Sequence, residues 1–477
     1  MATAYKTPGV YIEEIPKFPP SIAPVETAIP AFVGYTAKAD NLTADDLHLK
    51  PTRISSMVDY EKYFGGAQAE DAISATVDVA TVNSLPIVQK AMASLAENAR
   101  SKHIMYYALQ LFFANGGGPC HIVSVNRYTT LPGTLVVGDL QTGLATLVKV
   151  DEPTLLVFPE AQALSISDFK TLHDAALQQC ADLQDRFVIM DVHGDGVSLS
   201  NANANLLTAI GTFRNSGIGT NNLKYGAAYA PNIETVLDLA YDEAETDVVI
   251  VTDGTPAAAV KLNTLSGASN QIYETAKAAI RDFPCRLPPS SAMAGIYAAV
   301  DNSRGVWKAP ANVSVNAVVQ PTIQMSNRDQ ETINVDVNAG KSVNAIRSFT
   351  GKGPLVWGAR TLAGNDNEWR YVSVRRLFIF VEESVKKATE AFVFEPNDAN
   401  TWVKIQAMIE NFLTTLWRQG ALQGVKPEHA FYVAVGLGKT MTALDILEGR
   451  MIIEIGMAAV RPAEFIILRF SHKMAES

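Results

Sequence analysis

Short apolar runs alternate along most of the chain with longer stretches of helical spacing. The runs typical of strands lie at 122–125, 155–158, 187–191, 225–230 and 248–252. The stretches between them include the helical patterns at 161–180 and 199–215. Strands that alternate with helices favour a layered α/β domain with a largely parallel sheet. The sequence therefore predicts this fold class from Ala31 onwards.

The C-terminal region has a different pattern and predicts an α+β domain. Apolar residues at helical spacing follow a capping residue, Asn397 or Asp398, and Gly420 stands where a helix commonly ends. They are Trp402, Ile405, Ile409, Phe412, Leu413 and Leu416. An earlier helix is predicted from about 377 to 392, before Pro396, and a strand at 451–455.

Both ends of the chain carry strand patterns without an evident partner. The first is Val10, Tyr11, Ile12, Glu13, Glu14 and Ile15, bounded by prolines; the second is Phe465, Ile466, Ile467, Leu468, Arg469 and Phe470. The prolines that follow the first strand predict a stiff arm rather than a core strand. The last strand is apolar on both faces, so it must pair within its own sheet or with a neighbouring chain.

Composition and charge narrow the class of protein. The 477 residues are 48% apolar and 18% charged, which is typical of a globular protein with sizeable cores. Residues 341–477 hold 17 Lys/Arg and 14 Asp/Glu, so the rest of this chain of net charge −10 carries −13. An acidic body argues against a nucleic-acid partner, whereas the basic C-terminal region suits an acidic protein surface. The first twenty residues lack the apolar run of a signal peptide, and no run is long enough to span a membrane, so we expect synthesis in the cytoplasm without membrane insertion.

Two motifs suggest an enzyme, although each departs from its pattern. Residues 435–440 (VGLGKT) end like a phosphate-binding loop, but Val433 replaces its first glycine. Residues 191–196 (DVHGDG) follow a predicted strand, where α/β enzymes place catalytic groups. As a calcium loop this segment has His193 at the third ligand position and Ala202 in place of the bidentate glutamate. A cytoplasmic α/β hydrolase or nucleotide-dependent enzyme that uses Asp191 and His193 stays the alternative, while the patterns predict no catalytic site, cofactor or metal.

Ten blocks, in order over almost the whole chain, resemble those of contractile tail sheath proteins, the sheath subunits of myophage tails, R-type pyocins and extracellular contractile injection systems. The most characteristic block is 287–313 (LPPSSAMAGIYAAVDNSRGVWKAPANV). The others are 7–11 (TPGVY), 54–66 (ISSMVDYEKYFGG), 112–125 (FFANGGGPCHIVSV), 223–231 (LKYGAAYAP), 357–362 (WGARTL), 371–377 (YVSVRRL), 394–398 (FEPND), 420–422 (GAL) and 462–465 (PAEF).

The resemblance implies a domain organisation. It implies an N-terminal arm at 1–20, an outer α/β domain at 21–345 with a variable insertion at about 139–282, an inner tube-facing domain at 346–460, and a C-terminal strand or arm at 461–477. In the family, both arms add strands to sheets of neighbouring subunits, which would give the two terminal strands a partner. A contact of this head-to-tail kind does not close and so forms a helical polymer.

The implied function is mechanical, with no enzymatic activity. Subunits would polymerise around an inner tube as a helical homo-oligomer of stacked hexameric rings. Contraction of this polymer would drive the tube through a target envelope. The implied partners are further copies of the chain, the tube protein, and baseplate and terminal cap proteins, in a phage tail or a released tail-like particle. We expect Lys404, Arg418 and Lys426 to contact the tube; a solvated helix face or another sheath subunit is the alternative for each. A baseplate-proximal or terminal sheath paralogue is a further alternative role.

Overall fold

The computed structural model describes residues 21–194 and 202–469. The chain divides into two compact units. The larger unit comprises Glu26–Glu382 and the segment that begins at Arg461, and the smaller unit comprises Glu383–Val460 and the segment that ends at Val25. The smaller unit is therefore formed by stretches that are distant in sequence.

The strands of the described residues follow one another along the chain as β1 (Pro30–Thr36), β2 (Thr52–Ile54), β3 (Ser74–Val82), β4 (Leu85–Ser94), β5 (Cys120–Arg127), β6 (Leu155–Val157), β7 (Phe187–Asp191), β8 (Gly226–Ala230), β9 (Ile233–Thr235), β10 (Asp247–Thr252), β11 (Thr255–Pro256), β12 (Val260–Lys261), β13 (Cys285–Leu287), β14 (Val313–Ser314), β15 (Val318–Pro321), β16 (Val343–Phe349), β17 (Gly353–Val356), β18 (Phe431–Val435) and β19 (Ile453–Met457).

The α-helices of the same residues are α1 (Met57–Phe64), α2 (Met105–Ala114), α3 (Val137–Thr146), α4 (Ile166–Leu183), α5 (Asn203–Thr212), α6 (Leu262–Ala268), α7 (Asn270–Arg281), α8 (Ser290–Arg304), α9 (Asn327–Asn334), α10 (Val372–Thr389), α11 (Ala399–Arg418), α12 (Pro427–Ala430) and α13 (Ala443–Leu447).

A nine-stranded sheet forms the centre of the larger unit, in the order β14-β17-β16-β8-β7-β6-β1-β5-β2. The six adjacent strands from β16 to β5 in this order are parallel to one another. The outer strands β14, β17 and β2 each pair antiparallel with the neighbouring strand on their inner side. Every residue of β1, β6, β7 and β8 is buried. Strands that are apolar on both faces are typical of a parallel sheet covered by helices. The predicted α/β fold class is confirmed.

Helices cover this sheet according to the alternation of side chains along its strands. Phe32 of β1 packs edge-to-face on Phe112 of α2, with ring centroids 5.2 Å apart. The next residue, Val33, points to the other face and meets α3 at Gly143, where an added Cβ would lie 2.7 Å from a Val33 methyl group. The glycine therefore allows α3 to pack directly on the sheet.

A second sheet of the larger unit has the order β11-β10-β3-β4, with β12 also paired to β10. Its hairpin β3–β4 turns at Asn83 and Ser84, both at positive φ (52° and 65°), which suits the right-handed twist of the paired strands. The sequence indicated β10, but β10 pairs parallel with β3 here and not with the central sheet. The hairpin itself was absent from the sequence prediction.

The segment 139–282, predicted to be a variable insertion, contributes strands to both the central and the second sheet. It supplies β6, β7 and β8, three adjacent strands between β1 and β16 in the central sheet. The first part of the segment is therefore integral to the central sheet, and its variability among related chains stays a prediction. Only the later part, with β10 to β12 and helices α6 and α7, belongs to the second sheet.

The boundary predicted between residues 345 and 346 does not coincide with a break in the secondary structure. It falls inside β16, which pairs parallel with β8, and the larger unit continues to Glu382. Asn344 of β16 accepts a hydrogen bond from the Arg360 backbone N–H at 2.7 Å, so the chain after β16 is bound to the same sheet. The predicted outer and inner roles of the two parts stay predictions.

Candidate functional site

The smaller unit contains a two-stranded sheet with open edges. Strand β18 pairs antiparallel with β19, from Phe431 opposite Met457 to Val435 opposite Ile453. Within the described residues no third strand joins this sheet. Each strand therefore has one edge of backbone N–H and C=O groups that a further strand could pair with. The sequence predicted the second strand approximately but missed β18, for which the run FYVAV was the available signal.

Helix α11 covers one face of this sheet. Asp398 caps the helix by accepting the Thr401 N–H at 3.0 Å, and Gly420 follows its end at a φ of 86°, as the sequence predicted. Ile405 and Ile409 are buried on the helix, and Val433 and Val435 are buried on β18. The sheet is thereby held in place while its edges stay open.

The C-terminal segment exposes a continuous apolar run. Phe465, Ile466, Ile467 and Leu468 are 70–79% exposed, and residues 465–469 form no regular strand with the rest of the described chain. Phe470 and the predicted N-terminal strand Val10–Ile15 lie outside the described residues. Four successive exposed apolar side chains are unusual on a soluble surface and are typical of an interaction site.

The three predicted tube-contact residues are exposed in the smaller unit. Lys404 and Arg418 lie on α11, fourteen positions apart, which places them ~21 Å apart along the helix and within ~40° of each other around it. Lys426 lies in the loop before α12. The Trp417 indole N–H donates a hydrogen bond to the Gly424 carbonyl oxygen in the same loop, at 2.9 Å. No acidic side chain of the described chain forms an ion pair with any of them. Their positive charges are thus available to a partner.

Asp191 and His193 bond to different elements. Asp191 is buried at the end of β7, and its carboxylate accepts the Ser290 N–H at the start of α8 (2.8 Å). Burial raises the pKa of Asp191 to about 7, although hydrogen bonds from Ser290 oppose the shift. His193 bonds through Nε2 to the carbonyl oxygen of Leu164 at 2.8 Å. Asp191 thus caps a helix, and these contacts do not form a catalytic pair.

The residues 436–441, which resemble a phosphate-binding loop, bond to themselves. The N–H groups of Lys439, Thr440 and Met441 donate to the carbonyl oxygen of Gly436, and the Gly438 N–H donates to Met441 O. A phosphate site requires such N–H groups to converge on the ligand. This geometry favours a tight turn between β18 and α13.

Further chemistry is sparse among the described residues. Cys120, Cys180 and Cys285 are buried free thiols, and burial raises the pKa of each. No cluster of metal-binding side chains occurs in the described ranges. None of the helices described is long and apolar enough to cross a membrane.

Comparison with known sequences connects this fold to phage tails. A family model of the phage tail sheath C-terminal domain matches residues 364–473. The tail sheath protein of Burkholderia phage BcepMu is 29% identical over 182 residues, 36% of this chain and 37% of that protein. The tail sheath protein of Vibrio phage KVP40 is 24% identical over 139 residues, 28% of this chain and 20% of that protein. The chain thus aligns with between a fifth and two fifths of the length of these relatives.

Solved structures extend the similarity to nearly the whole chain. A chain of the PVC sheath complex in the contracted state, from an extracellular contractile injection system, is 29% identical, with a TM-score of 0.64 and 99% of both chains covered. A chain of the anti-feeding prophage helical sheath in the contracted state is 32% identical, with a TM-score of 0.62 and coverage of 98% of this chain and 100% of that one. The chain belongs to the contractile tail sheath protein family.

Proposed function

We propose that the chain polymerises helically around an inner tube in a metastable extended arrangement, and that contraction of the polymer drives the tube through a target cell envelope. The observation that carries this proposal is the combination of an open-edged sheet and an exposed apolar terminal segment in a chain similar over its length to contracted sheath subunits. A chain of the anti-feeding prophage baseplate is also 32% identical, which supports a baseplate contact. Assembly would take place in the cytoplasm, before the particle is released.

Strand exchange would connect the copies. In this proposal the strands Val10–Ile15 and Phe465–Phe470 of neighbouring copies pair with the free edges of β18 and β19. Main-chain hydrogen bonds would supply the affinity, and alternate side chains the register. Two observations support this arrangement. The edges of β18 and β19 are open to a further strand, and the exposed C-terminal segment pairs with no strand of the described chain.

The free energy of contraction would come from contacts between subunits of the polymer rather than from nucleotide hydrolysis. If each subunit favours the contracted arrangement by even ~1.4 kcal/mol, each contributes about a tenfold bias, and a cooperative polymer multiplies that bias. The exchanged strands would keep neighbouring copies connected while the larger units form new contacts. A subunit of this kind needs no cofactor.

The first test is electron microscopy of the chain coexpressed with its genomic neighbours. We expect a striated sleeve around a narrower tube, in an extended and a contracted form. Immunogold labelling along the whole sleeve would identify the main sheath subunit, whereas labelling at one end would identify a baseplate-proximal or terminal paralogue. A discrete small oligomer whose hydrolytic activity is lost in His193→Ala would instead support the enzyme.

Removal of residues 1–16 tests the N-terminal donor. The truncated chain should fold, because the residues lost would pair only with another copy, but it should not form a contractile sheath. Circular dichroism and thermal unfolding check the fold, and negative-stain microscopy checks assembly. Normal sheath from the truncated chain would refute strand donation by this arm.

Charge reversal tests the tube contacts. Lys404→Glu, Arg418→Glu and Lys426→Glu together should weaken assembly on the tube, most strongly at low ionic strength, because salt screens exposed charges. The matched control reverses three exposed lysines of the larger unit, Lys50→Glu, Lys149→Glu and Lys352→Glu. Equal tube binding by the two variants across a salt series would contradict the proposed contact.

A further inference from the structure

The C-terminal segment is bound to the larger unit immediately before its exposed run. The Glu464 carboxylate accepts hydrogen bonds from Arg360 Nη2 at 2.6 Å and Arg360 Nε at 3.0 Å. Asn334 Nδ2 donates to the same carboxylate at 2.6 Å, and the Tyr371 hydroxyl donates to it at 3.1 Å. We call this set of four residues the Glu464 clamp. Sequence analysis missed it, although Glu464 lies in the PAEF block.

The clamp is partly buried and rigidly supported. The Arg360 side chain is 5% exposed and that of Glu464 is 20% exposed. Burial by itself would raise the pKa of Glu464, but the hydrogen bonds from Arg360, Asn334 and Tyr371 outweigh burial and lower it. Arg360 is itself fixed through its N–H to Asn344 of the central sheet. A bidentate arginine on a shielded carboxylate fixes direction as well as distance.

The clamp divides the segment sharply. Glu464 is held, whereas Phe465 and the three residues after it are mostly exposed. Pro462 precedes the clamp, where its ring fixes its own φ at about −65° and disfavours helical conformations of Arg461. The chain therefore reaches the clamp through a stiff connection, and residues 465–469 after it form no regular strand within the described part of the chain.

We propose that Glu464 is a positioning residue that fixes the root of the donated C-terminal strand on its own copy. This inference rests on the proposed strand exchange. With the root fixed, only residues from Phe465 onwards reach a neighbour, a span of ~20 Å for six residues in a strand. If the clamp opens, residues 461–464 also become free to extend, which adds ~13 Å to the reach of the segment. The clamp thus sets the distance over which two copies are connected.

Spin labelling of the unassembled chain tests the clamp without relying on assembly. The three native thiols are buried, so an Ala463→Cys substitution on the exposed Ala463 provides a selective attachment site for a nitroxide. We expect a mainly slow electron paramagnetic resonance spectrum. Glu464→Gln removes the charge but keeps the shape, and should raise the ratio of fast to slow component by ~10-fold or more, since hydrogen bonds to charged groups are the strong ones. Tyr371→Phe, which loses one bond, should have a smaller effect.

Glu382→Gln is the control, because Glu382 also pairs with a buried arginine, Arg375, at 2.6 Å but does not touch the terminal segment. It should leave the label spectrum unchanged. An unchanged spectrum in Glu464→Gln would overturn the clamp.

Assembly then separates the two proposals. Glu464→Gln should raise the protein concentration needed for sheath formation. The increase should be at most the factor by which the substitution lowers the fraction of chains with a bound segment. Deletion of residues 465–477 should abolish the sheath whether or not the clamp exists. A deleted chain that assembles normally would refute strand exchange, even if the spectra support the clamp. Loss of assembly on deletion, with Glu464→Gln assembling like the parent chain, would refute only the positioning role.

Discussion

Ile466→Ser gives the sharpest test of the exposed terminal run. Ile466 is 79% exposed in the single chain, so nearly all of its apolar surface is still available for burial by another copy. If Phe465–Phe470 forms a strand, Ile466, Leu468 and Phe470 point to one face of the receiving sheet, and Phe465 and Ile467 point to the other. The substitution therefore removes one of three apolar contacts on a single face.

The expected magnitude follows from that exposure. Full burial of an isoleucine side chain contributes ~1.5–3 kcal/mol, and serine contributes little of this. The loss corresponds to a rise of ~10- to 150-fold in the concentration needed for assembly. Stability of the unassembled chain should change by no more than ~0.5 kcal/mol, because the side chain is on the surface there.

A pelleting assay over a concentration series measures the effect, with negative-stain images to show that the pellet contains sheath. Leu42→Ser is the matched control, since Leu42 is 88% exposed in the larger unit and lies far from the terminal segment in sequence. Thermal unfolding of the unassembled variants checks that both fold alike. Equal assembly concentrations for Ile466→Ser and Leu42→Ser would show that the terminal run is not buried between copies.

Three further predictions concern the larger unit. Arg376→Met should destabilise the fold by ~3–5 kcal/mol, because it leaves the buried Asp301 carboxylate, 3.0 Å from Arg376 Nη1, without its cation; thermal unfolding should show most of the loss restored in Arg376→Met/Asp301→Leu. In the parent chain the folded state, with a pKa of about 7 for Asp191, retains a proton that the unfolded state releases, so stability should fall by up to ~1.4 kcal/mol per pH unit as the pH rises from about 4 to 7. Asp191→Asn should remove this decline. Urea unfolding at pH 5 and pH 8 measures the decline, and an equal decline in both chains would contradict the prediction. Cys180→Ser should leave assembly unchanged, because a buried free thiol makes no covalent link; failure to form sheath despite a normal fold would contradict this.

Local patterns account for the parts of the fold that the sequence predicted. The strands β1, β6, β7 and β8 are buried on both faces, and their mainly apolar residues are what burial within a parallel sheet favours. Asp398 and Gly420 mark the ends of α11 because a cap and a left-handed residue are local requirements.

Pairing between distant segments was not predictable in the same way. Nothing local to β10 shows that it pairs with β3 rather than with the central sheet. The Glu464 clamp joins residues more than 90 positions apart, and one glutamate in a short terminal segment gives no periodic signal. The proposed tube contacts and strand exchange depend on other copies and other proteins, so a single chain supplies the groups but not their partners.

The order of the two units along the chain has a consequence for biosynthesis. The unit with the open sheet edges contains Glu383–Val460, whereas the larger unit needs little beyond Glu382. As the ribosome works from the N-terminus and domains generally fold as units, the larger unit can fold while β18 and β19 are still untranslated. The open-edged sheet is thus synthesised after most of the larger unit and before the segment that begins at Arg461. Until β18 and β19 have been translated, a nascent chain therefore offers no edge of this sheet to another chain on the same messenger.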